Sequence, residues 1–224
     1  MSRRWIGLAV ALLLVVVYFA VADALDLPVS FAFYRPGEGF FLADRLPLRI
    51  VYQGTRWFIL IVSAGLLCAL AWSWLPACRW DRAWRGRIGF LLLSLAVGPG
   101  LITNTLFKDH WGRPRPQQLI EFGGTAQYVP PLVPSSQCTR NCSFPSGHAS
   151  AAFWLISGAW VWPHRRRTWL AVGVTAGAIV GFTRIAQGGH FLSDVLASLA
   201  VVWLVDEALS RWARTIGWLQ ETPG

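Results

Sequence analysis

The stretch WFILIVSAGLLCALAWSWL, residues 57–75, carries no charged side chain. A helix needs about 20 mainly apolar residues to cross the hydrocarbon core of a bilayer, and its backbone groups must be satisfied internally there. The run therefore predicts a transmembrane helix. Five further apolar runs read the same way, giving six spans at residues 5–22, 57–75, 88–107, 148–162, 169–185 and 191–209. Trp5, Trp57, Trp111, Trp162, Trp169 and Trp212 stand at or near their ends, as interfacial belts do. The expected fold class is all-α: one polytopic integral-membrane domain over residues 1–224. Composition agrees, with 54 % hydrophobic and only 14 % charged residues and a mean hydropathy of +0.45. A soluble domain is about a quarter charged, so a soluble enzyme, a disordered chain and a disulfide scaffold are all excluded.

The net charge of +9 would point to nucleic acid in a soluble protein. Here the bases sit between apolar runs, so they read as orientation signals and as attraction to anionic lipid. No nucleic-acid partner is expected. Arg3 and Arg4, then Arg79, Arg82, Arg85 and Arg87, then Arg165–Arg167, then Arg211 and Arg214 all fall on one side of the six spans. The positive-inside rule makes that side cytoplasmic, with both termini on it. The first span has a rival reading as a signal peptide ending at Ala20-Val21-Ala22. Its apolar core is longer than usual for one, and cleavage would not invert the remaining spans. On the opposite side lie two segments. Residues 23–56 hold Phe31, Phe33, Tyr34, Phe40 and Phe41 around Pro36-Gly37, which predicts an interfacial loop or a short helix on the membrane. Residues 108–147 form a long, turn-rich loop, the kind of segment where function concentrates.

Three clusters at that outer face carry chemistry. KDHWGRPRP begins at Lys108, the only lysine of the chain; FPSGH ends at His148, where the fourth span starts; and Thr183-Arg184 is followed by Gly188-Gly189-His190 and Asp194. Lys108, Arg115 and Arg184 supply three cations, and arginine's planar fork suits phosphate oxygens while lysine acts as a mobile point charge. Ser146-Gly147 opens a helix, whose free N–H groups and dipole favour an anion, and Gly147 allows close approach. His190 and Asp194 are four apart and share a helix face. The carboxylate can then fix the imidazole tautomer and leave the other ring nitrogen free to attack. His148 is placed to act as an acid for a leaving oxygen. Each cluster alone also has an ordinary reading: headgroup anchors, a serine N-cap, a satisfied His–Asp pair. Their convergence on one face and one chemistry favours the functional reading. His110 and His164 read as structural.

Lys108-x6-Arg115-Pro116, Pro145-Ser146-Gly147-His148 and Arg184-x5-His190-x3-Asp194 resemble the three-part signature of the type 2 phosphatidic acid phosphatase superfamily. Thr183 stands where that pattern usually has serine, and keeps the hydroxyl. The resemblance, from Lys108 to Asp194, implies a metal-independent phosphatase without a cofactor. It implies His190 as the nucleophile forming a phosphohistidine, Asp194 as its orienting carboxylate and His148 as the general acid. Lys108, Arg115, Ser146, Gly147 and Arg184 would bind the phosphoryl group. FKDHWGRPRP, SSQCTRNCSF and QGGHFLSD are similar to inner-membrane lipid A phosphatases of Gram-negative bacteria, which implies a periplasmic site and removal of a 1- or 4′-phosphate. In that compartment Cys138 and Cys142 stand either as a disulfide pinning the loop before Pro145 or as two reduced cysteines. The expected partners are the bilayer and a phospholipid or lipid A substrate. Phosphatidylglycerophosphate, phosphatidate and undecaprenyl pyrophosphate remain open as substrates, as does transfer of the phosphoryl group to another lipid. A non-enzymatic lipid binder or transporter would not need His148, His190 and Asp194 intact. Headgroup choice is expected to lie in residues 23–56 and 117–138.

Overall fold

The structure is a computed structural model and describes residues 24–76, 78 and 80–219. The first expected span, residues 5–22, lies outside these. Residues 24–31 are helical (α1). A two-stranded antiparallel hairpin follows, β1 (Tyr34–Arg35) against β2 (Gly39–Phe40), turning through Gly37 at φ 84°. Then come α2 (Leu46–Trp72) and α3 (Arg82–Leu95), the latter capped by Asp81, which accepts from the Trp84 N–H at 2.9 Å. The α3 axis continues in wider, π-helical turns over Ala96–Phe107. After the long loop, α4 (Gly147–Phe153), a 3₁₀ stretch (Trp154–Ser157) and α5 (Gly158–Val161) make one helical run. α6 (Arg166–Ala186) and α7 (Leu192–Thr215) complete the chain.

Three of these helices are long and apolar enough to cross a membrane: Leu46–Trp72, Arg82–Phe107 and Pro163–Ala186. α7 is 24 residues, about 36 Å at 1.5 Å per residue, but carries Asp194, Asp206, Glu207, Arg211 and Arg214. One expectation is corrected. The second half of residues 23–56 is neither a loop nor a short surface helix, because α2 starts at Leu46 rather than near residue 57. Arg49 and Arg56 lower the hydropathy of that stretch, yet arginine is a good helix former, so the helix runs through them. Thr55 is the only buried residue of α2, and Trp57, Ile61, Leu67 and Trp72 are exposed; the helix lies on the outside of the bundle, where lipid would meet it.

The α4–α5 run is the centre. Ala149, Ile156, Ala159 and Trp160 are almost wholly buried, with Phe90, Val195 and Val202 in the same cluster. Small residues let α6 approach it closely. A Cβ at Gly173 would lie 2.4 Å from Ile156 N, and one at Gly177 2.0 Å from Phe153 Cδ1. Deeper in, Asp206 of α7 accepts hydrogen bonds from Ser94 of α3 and, at 2.8 Å, from Ser157. Three helices are thereby tied at one buried carboxyl.

The two ends of the bundle differ. At one, Arg82 donates to the Ile216 carbonyl at 3.2 Å, Trp160 Nε1 donates to Glu207, and Arg166 lies over the Trp160 ring. The arginine-rich turns collect there. At the other end the π-helical turns stop at Lys108, α4 starts at Gly147 and α6 turns into α7 through Gly188, Gly189 and His190. Phe40 of the hairpin packs with Leu119, Phe122 and Phe191 beside that turn.

Candidate active site

Lys108 is delivered by the π-helical turns. Pro99 lacks an N–H to donate, and the widened register shows in the five-residue backbone bond from Lys108 N to Thr103 O (3.2 Å), while the Asn104 side-chain Nδ2 donates to the Pro99 carbonyl at 2.7 Å. Lys108 is buried, and its Nζ donates to Asn141 Oδ1 at 2.9 Å. Arg115 Nη2 donates to the carbonyl of the same Asn141 at 2.8 Å. Asn141 holds this position with φ 52°, a left-handed conformation that asparagine tolerates better than most residues. It lies in the short loop closed by a Cys138–Cys142 disulfide, and Cys142 N donates to the Lys108 carbonyl at 3.0 Å. Of the two cysteine readings, the structure contains the bridge.

Ser146 accepts from Ala149 N at 3.4 Å and so caps α4; its own N–H donates to the Asp194 carbonyl at 3.2 Å. At Gly147 a Cβ would fall 2.4 Å from Asn104 Oδ1 and 3.4 Å from Lys108 Nζ, so the backbone there abuts the lysine head. The His148 ring stacks on Tyr52 of α2, centroids 4.5 Å apart and planes 27° from parallel. The Arg184 guanidinium lies 4.5 Å from the same Tyr52 ring. Arg184 Nη1 donates to Gln187 Oε1 at 2.5 Å, while its Nε is buried with no hydrogen-bond partner among the described residues. Gly189 sits against this guanidinium: a Cβ would lie 2.1 Å from Nη2. The charges of Arg184, Lys108, Arg115 and Arg56 all act on the His148 ring.

His190 is 1 % exposed. Its Nδ1 is 2.7 Å from the Ser143 carbonyl oxygen and 3.6 Å from Asp194 Oδ2. Only the first is a hydrogen-bond distance, so Nδ1–H donates to Ser143, and Nε2 keeps its lone pair. Asp194 is otherwise engaged. Its Oδ1 takes Arg113 Nη1 at 2.6 Å, and its Oδ2 takes the Ser143 hydroxyl at 2.5 Å and Phe191 N at 2.8 Å. The carboxylate therefore holds the imidazole through Ser143 rather than by a direct hydrogen bond. Arg113 is fully buried; it also binds Asp26 Oδ2 of α1 at 2.8 Å, Ser193 Oγ at 2.8 Å and the Val129 carbonyl at 2.8 Å, with the Phe191 ring 4.2 Å away.

Burial pulls the Lys108 ammonium down to about 8, helped by Arg115 and Arg184. Burial, with the Arg184 and Lys108 charges against a protonated ring, takes His190 down to about 3 despite Asp194. Burial also opposes the Arg113 charge, but Asp194 and Asp26 outweigh it and raise its pKa. The result is a neutral imidazole beside crowded cations, an arrangement that an anion relieves. Among the described residues no three His, Cys, Asp or Glu side chains gather as metal ligands.

All eight sequence-derived site residues meet at this end of the bundle. His110 instead faces the Thr105 and Leu106 carbonyls of its own helix end, and His164 lies in the short turn Pro163–Arg165 at the far end. Sequence reasoning missed Asp26, Asn141, Ser143 and Tyr52, and gave Arg113 of the KDHWGRPRP cluster no role of its own. Only Arg113 carried a signal, from its place two residues before Arg115.

The PAP2 superfamily profile matches residues 87–218. The lipid A 4′-phosphatase of Francisella tularensis subsp. novicida (strain U112) is 36 % identical over 184 residues, covering 80 % of this chain and 82 % of that protein. A lipid A 4′-phosphatase of Rhizobium etli is 35 % identical over 159 residues, 69 % of this chain and 61 % of that protein. A lipid A 1-phosphatase of Rhizobium etli is 32 % identical over 114 residues, about half of this chain and 45 % of that protein. No solved structure matches. With the profile covering residues 87–218 of 224, the chain belongs to the PAP2 superfamily.

Proposed function

We propose that this chain is a lipid A phosphatase of the bacterial inner membrane, cleaving the 4′-phosphate monoester at the periplasmic face through a phosphohistidine on His190. The reading places six helices across the bilayer with both termini and the arginine-rich turns in the cytoplasm. The site then opens at the outer interface, where a lipid headgroup would arrive. The 4′ position is favoured because two relatives named for it match over 80 % and 69 % of the chain, against 50 % for the Rhizobium etli relative named for the 1 position.

In the proposed reaction, His190 Nε2 attacks phosphorus in line while the bond to the sugar oxygen breaks, and His148 passes a proton to that oxygen. Lys108, Arg115 and Arg184 neutralise the equatorial oxygens, together with the N–H groups of Gly147 and His148, which have no carbonyl partner within their helix. Water then attacks the phosphohistidine, His148 takes its proton, and inorganic phosphate leaves. Asp194 and Arg113 hold the Ser143 carbonyl against Nδ1 throughout. The observation that carries the reading is the His190 Nδ1 hydrogen bond to Ser143, which leaves the second nitrogen unprotonated beside the cations.

The test is incubation of the detergent-solubilised protein with bis-phosphorylated lipid A, followed by tandem mass spectrometry. Release of one phosphate from the non-reducing sugar is expected. Loss from the reducing end would move the site to the 1 position, and no release would overturn the reading.

A further inference from the structure

α2 is longer than a span requires. At 27 residues it measures about 40 Å, against about 30 Å of hydrocarbon, and its apolar run begins only at Trp57. The excess, residues 46–56, contains Arg49 and Arg56 and no acid. These two lie three residues before and four residues after Tyr52, so all three share one helix face. That face is turned to the site, because Tyr52 stacks on His148 and underlies Arg184. The Arg56 charge also acts on the His148 ring. Among the described residues, neither arginine forms an ion pair, hydrogen bond or ring contact, and both are exposed. Two guanidinium groups without an acidic partner, on the helix face that meets a cationic pocket, raise the local positive potential, and a bound anion relieves it. The names of the relatives put phosphate at both a 1- and a 4′-position of lipid A, so a substrate presenting one phosphate to His190 brings another with it.

We infer that Arg49 and Arg56 form a second phosphate subsite, which grips the non-reacting phosphate of a bis-phosphorylated lipid while His190 attacks the other. The inference rests on the function proposed above. Fork-shaped guanidinium groups suit a phosphate monoester, and Tyr52, between the two in sequence, touches His148 and Arg184 of the reacting site. A surrounding phospholipid headgroup offers the same chemistry, so the experiment is run in a neutral, phospholipid-free detergent.

The test compares KM and kcat of the full chain on bis-phosphorylated lipid A and on the same lipid lacking the 1-phosphate. Losing charged hydrogen bonds of roughly 1.5–3 kcal/mol corresponds to about 10–100-fold. R49A/R56A should therefore raise KM for the bis-phosphorylated lipid at least about tenfold. For the monophosphorylated lipid, the wild type should already show the higher KM and the variant should raise it no further. R49Q/R56Q, which keeps the long stems, should behave the same way and guards against loss of folding. Equal effects on both lipids, or none on either, overturn the subsite. A wild-type chain that releases phosphate from neither lipid overturns the function itself.

Discussion

Arg113 Nη1 and Asp194 Oδ1 are 2.6 Å apart with both side chains fully buried, and the other arm of the same guanidinium holds Asp26, 87 residues away in sequence, at 2.8 Å. The fork thus joins α1 to the start of α7, and through the Ser143 hydroxyl it reaches the carbonyl on which His190 rests. Removing one member of a buried pair leaves an uncompensated charge and costs roughly 3–5 kcal/mol. R113A should lower thermal stability markedly. R113K restores the charge but cannot bridge two carboxylates, so it should keep the fold while kcat falls more than KM changes. An R113K enzyme with unaltered kcat would reduce Arg113 to a packing element.

The lone lysine sets an alkaline limit. With Lys108 held down near 8 by burial and its arginine neighbours, raising the pH through that value strips its proton and removes one of the cations awaiting phosphate. kcat/KM should fall above pH 8, and K108R should move that limb to higher pH. His190 stays neutral until about pH 3, so the acid limb should not move with variants that alter only the His190 surroundings. A profile flat to pH 10 in the wild type would contradict the assignment.

Tyr52 braces His148 and Arg184 together. Stacked rings contribute about 0.5–1.5 kcal/mol and a cation over a ring about as much. Y52L should therefore lower kcat/KM about tenfold or more, whereas Y52F keeps both contacts and should stay near wild type. Steady-state kinetics with equal melting temperatures for the two variants checks this.

Asp206 ties α7 to Ser94 and Ser157 in the middle of the bundle, far from the site end. D206A leaves Ser94 and Ser157 only each other, 2.9 Å apart, so one buried hydroxyl proton loses its acceptor at about 1–3 kcal/mol, and the variant should unfold more easily in detergent. D206N retains an acceptor and adds a donor, and should stay close to wild type in stability and activity. Equal losses in both variants would require the charge itself to matter.

What the residues made legible follows from how far apart the interacting partners lie. The apolar runs and their arginine-rich ends place α3, α6 and α7, because hydropathy and charge act locally. His190 and Asp194, four apart, and the PSGH helix start are visible for the same reason. Asn141 was not, since its task depends on a left-handed backbone inside the Cys138–Cys142 loop. Asp26 was not, since its partner is brought in only by the fold. Tyr52 is not legible because the uncharged apolar run begins only at Trp57, after Arg49 and Arg56, although the helix extends through both and carries the ring to His148. Ser143 took the hydrogen bond expected of Asp194, as arginine and backbone groups already occupy that carboxylate.

The nucleophile is the centre of the account, and rapid quenching addresses it directly. The protein is mixed with lipid A bearing labelled phosphate, stopped in alkali, digested, and its peptides sequenced by mass spectrometry. The label should appear on His190, form roughly 100-fold or more slowly in H148Q, which lacks the acid that frees the leaving oxygen, and vanish in H190A along with turnover. Label on any other side chain, or steady phosphate release by H190A, would contradict it.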